Sequence, residues 1–243
     1  LGKREKGGFW IGVTAAIFYP VSWLAKRVYR DGENIPREGG ALLVMNHVSH
    51  LDPLQDAVFA HRNGRVPRFM AKASLFKVPL FGKLLSESGG IPVYRGSSDA
   101  QGSLRAAHAA LREGKLVVIY PEGTITKDPD GWPMWPRTGV ARLALENDVP
   151  VVPAARWGTQ DILNGYTKKF RPFPRKRVEY LVGEPVDLSA YRGRPLTNQL
   201  LREVTDVLMS EVRRLLVEVR GQEAPADYFR PGAGKGDAEK DAE

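Results

Sequence analysis

The 243-residue chain is 42% hydrophobic and 26% charged, with a formal charge of +8 and a pI near 9.7. That supports one substantial core, and the length fits one large domain better than two small ones. The absence of cysteine excludes disulfides, thiolate metal sites and cysteine nucleophiles. The positive surface attracts polyanions without choosing among nucleic acid, anionic lipid and acidic protein.

The first predicted element is the run from Phe9 to Ala25, apolar on all sides and flanked by Lys3, Arg4, Lys6 and by Lys26, Arg27, Arg30. As one straight helix it would extend about 25 Å, short of a bilayer core of about 30 Å, and Pro20 would break or kink it. Shallow or re-entrant insertion is therefore expected, with the basic flanks on headgroups and Trp10, Tyr19 and Trp23 in the interfacial zone. The competing reading is a helix packed against the rest of the fold. A cleaved signal peptide is disfavoured, because no small-x-small site follows. Residues 1–35 are read as a membrane-associating segment, 36–220 as the main domain and 221–243 as a disordered tail rich in Gly, Pro and charge.

From residue 41 short apolar strands alternate with helical stretches. Strands are expected at Ala41–Met45, Arg68–Ala71, Ile91–Tyr94, Leu116–Tyr120, Val149–Ala155 and Arg177–Val182. Ser98 can cap a helix running through Arg112, with Asp99 in its first turn and Gly114 ending it. Leu200–Arg220 reads as an amphipathic helix with Leu201, Val204, Leu208, Leu215 and Val219 on one stripe, closed by Gly221. This rhythm predicts an α/β fold, a mixed sheet covered by helices, with charged chemistry at strand ends.

Three segments carry that chemistry. After the first of these strands, Asn46-His47-Val48-Ser49-His50-Leu51-Asp52-Pro53 places an imidazole and a carboxylate five positions apart. A neutral imidazole can take a hydroxyl proton, and a carboxylate on its other nitrogen fixes the tautomer and stabilises the imidazolium. Equally, the pair could only cap a helix. His47, His50 and Asp52 could offer three metal ligands, but no second cluster accompanies them. Ser49 lacks a Gly-x-Ser-x-Gly elbow. The second segment is Tyr120-Pro121-Glu122-Gly123-Thr124, where Gly123 allows close backbone approach. The third is Gly89 to Gly96, whose Arg95 suits bidentate contact with phosphate.

Taken in order, His47-x4-Asp52, Gly90-x4-Arg95, Pro121-Glu122-Gly123-Thr124 and Val149-Pro150-Val151-Val152-Pro153 resemble the four blocks of the glycerolipid acyltransferase family, which includes bacterial 1-acylglycerol-3-phosphate acyltransferases. The resemblance covers about residues 40–157. It implies a glycerol-phosphate acyltransferase-type domain in which His47 is the general base and Asp52 its partner. Arg95, Glu122, Gly123 and Thr124 would contact the acceptor, with Lys72 near its phosphate and Val149–Pro153 shaping the site. The pattern departs after Thr124, where Ile125 stands in place of an arginine common in relatives and Lys127 is the nearest following cation; either Arg95, Lys72, Lys127 or Arg137 holds the phosphate in another arrangement, or the acceptor is larger than glycerol phosphate.

The implied reaction moves an acyl chain from acyl-CoA or acyl-ACP to a glycerol-phosphate acceptor, foremost 1-acylglycerol-3-phosphate, giving phosphatidic acid. Another lysophospholipid or a larger phospholipid acceptor, a lipid esterase or thioesterase, and a noncatalytic membrane-binding protein are the alternatives. No metal or cofactor is expected, the thioester being a co-substrate. The expected partners are an anionic membrane surface, the acceptor and the donor, with no nucleic acid. The expected place is the cytoplasmic face of the cell membrane, peripheral or monotopic.

Overall fold

Ala41–Met45 is apolar at every position and buried on both faces, the pattern of a central parallel strand rather than a half-exposed one. In the computed structural model, which describes residues 5, 7–94 and 100–231, it is β2. The other strands are β1 (Ala25–Arg30), β3 (Pro67–Lys72), β4 (Ile91–Val93), β5 (Leu116–Ile119), β6 (Val151–Trp157) and β7 (Lys176–Val182). They form one sheet in the order β1-β7-β6-β2-β5-β3-β4. Pairing is parallel from β6 through β2, β5 and β3 to β4. The sheet reverses once, where β7 runs antiparallel to β6, and β1 is parallel to β7. The expected mixed α/β architecture is therefore present.

Alternate residues of β2 feed two cores. Leu42 and Val44 join the cluster under α4 (Ala100–Arg112), α5 (Gly139–Glu146) and α6 (Asn198–Arg220). Ala41, Leu43 and Met45 face the cluster that includes Phe59 of α2 (Asp52–Arg62). The long helix α6 is delimited by local chemistry: the Thr197 hydroxyl accepts from Leu200 N–H at 3.1 Å, and Gly221 closes the other end at φ 62°. Of its predicted stripe, Leu201, Val204, Leu208 and Leu215 are buried and Val219 is partly buried.

The N-terminal region departs from expectation in one respect, the strand that follows its helix. The apolar run is a helix, α1 (Phe9–Ser22), with Pro20 inside its last turn, packed on α2 and α3 (Phe81–Glu87). No helix among the described residues is long and apolar enough to cross a membrane. Lys26, Arg27 and Arg30, read as headgroup-contacting flanks, belong to β1, which pairs with β7 from Ala25↔Lys176 to Arg30↔Leu181. Charge concealed this strand: an edge strand tolerates cations, which also deter pairing with other chains.

At the other end the ordered chain continues past Gly221, where the sequence reading starts a disordered tail. Phe229 bridges Met134, its carbonyl accepts from Trp135 N–H at 3.0 Å, and Tyr228 meets Trp135 edge to face. The two aromatic residues in this short stretch supply the docking. Arg95, Ser98 and Asp99 lie outside the described residues, as do residues 232–243.

Candidate active site

Strand register gathers the motifs. Val44 is opposite Ile119, Met45 opposite Ala154, and Phe69 opposite Val118. Carried forward a few residues, these parallel pairings put His47, Glu122, Arg156 and Lys72 along one edge of the sheet, where open α/β sheets place their ligands.

His47 Nδ1 lies 2.8 Å from Asp52 Oδ2. The same oxygen accepts from the main-chain N–H groups of Val48 and Ser49 at 2.7 and 2.8 Å. The carboxylate thus satisfies backbone groups of the turn before α2 as well as supporting the imidazole, while the helix itself has no side-chain cap bond. With Nδ1–H directed at Asp52, the His47 Nε2 lone pair is left for chemistry. His47 lines a cavity of about 840 Å³ and is 14% exposed, while Asp52 is wholly buried. The Tyr120 ring stacks on the imidazole with centroids 4.4 Å apart.

Beneath this pair lies a polar network that the sequence reading did not name. Arg156, fully buried, places Nη2 2.5 Å from Asp52 Oδ2 and Nη1 2.6 Å from Asp56 Oδ2. Its Nη2 also donates to the Asn46 carbonyl at 2.9 Å. Asp56 accepts from the hydroxyls of Tyr120 and Tyr180, and Thr159 donates to Asp52 Oδ1. Burial raises the pKa of Asp52, but Arg156, His47 and Thr159 outweigh it and hold the carboxyl below its ordinary range. At Asp56 burial prevails over Arg156 and, with Asp52 nearby, pushes the pKa up. One signal was available: Asp52 and Asp56 are four apart and share a helix face.

Glu122 is 3% exposed and does not line the cavity. Its Oε1 accepts from His47 N–H and its Oε2 from Met134 N–H, each at 3.0 Å. Burial, only partly offset by these bonds and by Thr126, raises its pKa to about 8. The acceptor role that the resemblance implies thus falls on a group whose oxygens engage the backbone. Gly123, Thr124, Lys72 and Arg137 do line the cavity; Lys127 does not. Gly123 has φ 69°, and a Cβ there would stand 3.0 Å from Arg137 Nε. Ser49 is buried, its hydroxyl donating to Leu163 O at 2.7 Å, and His50 is exposed. Val151, Val152 and Pro153 of the fourth block lie in β6.

The remaining walls are largely apolar. Ile11, Ala15 and Phe18 come from α1, Leu54 and Val58 from α2, and Leu85 from α3. Sequence spacing had left this lining unassigned, because α1 is apolar on every side and does not show which face turns inward.

The Acyltransferase family model matches residues 26–157. The 1-acyl-sn-glycerol-3-phosphate acyltransferase of Bacillus subtilis (strain 168) is 26% identical over 192 residues, covering 78% of this chain and 87% of that protein. The enzyme of that name from Borreliella burgdorferi is 29% identical, over 57% of this chain and about half, 55%, of its own length. Both named relatives are O-acyltransferases. The crystal structure of the 1-acyl-sn-glycerophosphate (LPA) acyltransferase PlsC from Thermotoga maritima shares the fold, with a TM-score of 0.63 and 24% identity over 88% of this chain and 81% of that one. With the family block spanning more than half of its residues, from β1 to the end of β6, the chain belongs to the acyltransferase family.

Proposed function

We propose that the chain transfers an acyl group from a thioester, carried by coenzyme A or acyl carrier protein, to the hydroxyl of 1-acyl-sn-glycerol 3-phosphate, giving phosphatidic acid. The observation that carries this reading is the carboxylate-oriented His47, bonded to Asp52 at 2.8 Å, facing a largely apolar cavity of about 840 Å³. Such a space takes an acyl chain, and the imidazole at its end takes a proton.

Nε2 of His47 removes the acceptor proton as the oxygen attacks the thioester carbonyl. Asp52 stabilises the imidazolium so formed. Collapse of the tetrahedral intermediate breaks the carbon–sulfur bond, and the imidazolium returns its proton to the departing thiolate. Because the thioester is already activated, positioning and base catalysis supply much of the acceleration. Lys72 and Arg137 offer cations to the acceptor phosphate, Gly123 leaves the backbone bare beside it, and Thr124 adds a hydroxyl. Exposed Phe9 and Ile17 of α1, with Leu75, Val78 and Leu80 near α3, suit seating on the cytoplasmic face of a membrane, from which both lipids would enter.

The test is mass spectrometry of lipid products from wild-type and His47→Ala protein, given acyl-CoA or acyl-ACP with glycerol 3-phosphate, lysophosphatidate or other lysolipids. Phosphatidic acid from lysophosphatidate, reduced about 10²- to 10⁴-fold in the variant, is the expected result. Free fatty acid as the sole product would replace transfer by hydrolysis.

A further inference from the structure

At the β1 edge of the sheet, away from the acyl cavity, a second cleft of about 490 Å³ is lined by Lys26, Arg27, Tyr29, Arg62, Arg175 and Arg177. Five of these six side chains are cationic. Among the described residues only Arg177 has a carboxylate partner, Glu179 at 2.7 Å. Such crowding of like charge is unfavourable unless an anion offsets it.

The arginines are held in place by contacts that leave their charge unmatched. The Arg175 guanidinium lies 4.3 Å from the Trp23 ring centroid, and its Nη2 donates to Ala25 O at 2.8 Å. Arg62 stands 6.0 Å over the Tyr29 ring, and Arg27 Nη1 donates to the Ser22 hydroxyl. Aromatic stacking and fixed donors pre-organise the forks, which lowers the entropy lost when a ligand arrives.

Among the described residues, two buried polar atoms here have no hydrogen-bond partner: Arg175 Nε and the Tyr29 hydroxyl oxygen. Burial raises the Tyr29 pKa, while Arg27 and then Arg62 pull it down, so both guanidinium charges act on that hydroxyl. The phenol keeps its proton at neutral pH and can donate. Donors predominate around the cleft, so a complementary ligand brings acceptor oxygens in several directions, as a tetrahedral oxyanion does and a planar carboxylate does less well.

We propose that this cleft is a phosphate-binding site, separate from the acceptor site at Lys72 and Arg137, in which Arg27, Arg62, Arg175 and the Tyr29 hydroxyl hold the phosphate. The inference does not rest on the acyltransferase reading. Tyr19 and His61, bonded to each other at 2.8 Å, line the acyl cavity, and Arg62 and Ser22 follow them in the same two helices. A phosphate here would sit behind the α1–α2 wall. It can come from a phospholipid headgroup or from a soluble phosphate compound, and the chemistry of the site is the same for both.

The experiment uses the full chain at low salt. Inorganic phosphate is titrated calorimetrically, and co-sedimentation is measured with phosphatidylglycerol vesicles and with phosphatidylcholine vesicles. The Arg27→Gln/Arg62→Gln pair and the single Tyr29→Phe change are compared with Arg194→Gln/Arg214→Gln, which removes two exposed charges elsewhere. Wild type and the control pair are expected to bind phosphate alike, the cleft pair about tenfold or more weakly, and Tyr29→Phe several-fold weakly. A parallel loss of phosphatidylglycerol vesicle binding in the cleft pair supports the site with a headgroup as the source. Unchanged vesicle binding beside lost phosphate binding supports it with a soluble source. Equal behaviour of cleft and control pairs in both arms, full binding by Tyr29→Phe, or no binding by wild type to either probe overturns the proposal. Turnover with the proposed substrates, read separately for each variant, keeps failure of this site distinct from failure of the proposed reaction.

Discussion

At the sheet end below His47, Asp52 and Arg156 are wholly buried, and Asp52 accepts from two main-chain amides, a threonine hydroxyl, an imidazole and a guanidinium. On the far side of the same cavity, α1 contributes Ile11, Ala15 and Phe18 through apolar contact and leaves Phe9 78% exposed. The polar floor is fixed by directional bonds that tolerate little displacement, because an orphaned buried charge is expensive. Mostly non-directional contacts hold the wall, pinned by two hydrogen bonds, Tyr19 to His61 and Thr14 to Ser88, each at 2.8 Å, so it can adjust its shape more readily than the floor. In the proposed reaction, proton transfer would belong to the floor, and the choice of acyl chain to the wall.

The largest break in that contrast is expected from Arg156→Met. It removes the cation between two buried aspartates and should lower stability by about 3–5 kcal/mol and transfer on the order of a hundredfold. Denaturant melts and initial rates check both, and a wild-type melt with full activity would sink the account of the floor. On the wall, Ala15→Phe should leave the melt nearly unchanged and shift preference to shorter donors, on the order of tenfold per excluded methylene. Competition among thioesters of graded length reads this directly. An unchanged length profile would remove α1 from chain selection.

Glu122→Gln sharpens the comparison through pH. The folded-state pKa is raised from 4.5 to about 8. The folded chain therefore holds a proton that the unfolded chain releases above about 4.5. Stability from this group is full below that value, declines as pH rises and levels off above about 8. Glutamine cannot accept both backbone N–H groups and should cost about 1–3 kcal/mol, a deficit that narrows between pH 4.5 and 8 in urea melts. A deficit that widened would reverse the sign assigned here. The smallest effect is expected from Phe9→Ser/Ile17→Ser, which should weaken vesicle binding several-fold while preserving turnover of detergent-dispersed substrate. Retained vesicle binding would exclude this face of α1 from membrane contact.

Much of the floor was legible because strand ends advertise themselves. Ala41–Met45 and Leu116–Ile119 are buried apolar runs, and the polar residues that follow them could only be at the sheet edge. Arg156 was hidden because its partners are selected by register, Met45 against Ala154, which no local spacing reveals. Glu122 was marked by its motif, but whether a carboxylate faces a cavity or the backbone depends on a loop that closes only when Met134 arrives. The wall was least legible, since α1 lacks a polar face to betray its orientation. β1 was obscured for the opposite reason, its three cations masking a strand.

β1 has one neighbour in the sheet, β7, about 150 positions later in the chain. The helix that walls the cavity is therefore moored by a pairing between segments about 150 positions apart. Contacts of such separation close late in folding. During synthesis, a chain that had emerged only as far as the end of β6 would carry His47, Asp52 and Arg156 but no partner for β1. Most of the polar network under His47 would then be in place before the cavity had its outer side, with the Thr159 and Tyr180 hydroxyls still to come. Any ligand or mutation that loosens the β1–β7 seam should reach the lipid end of the cavity first and the imidazole last.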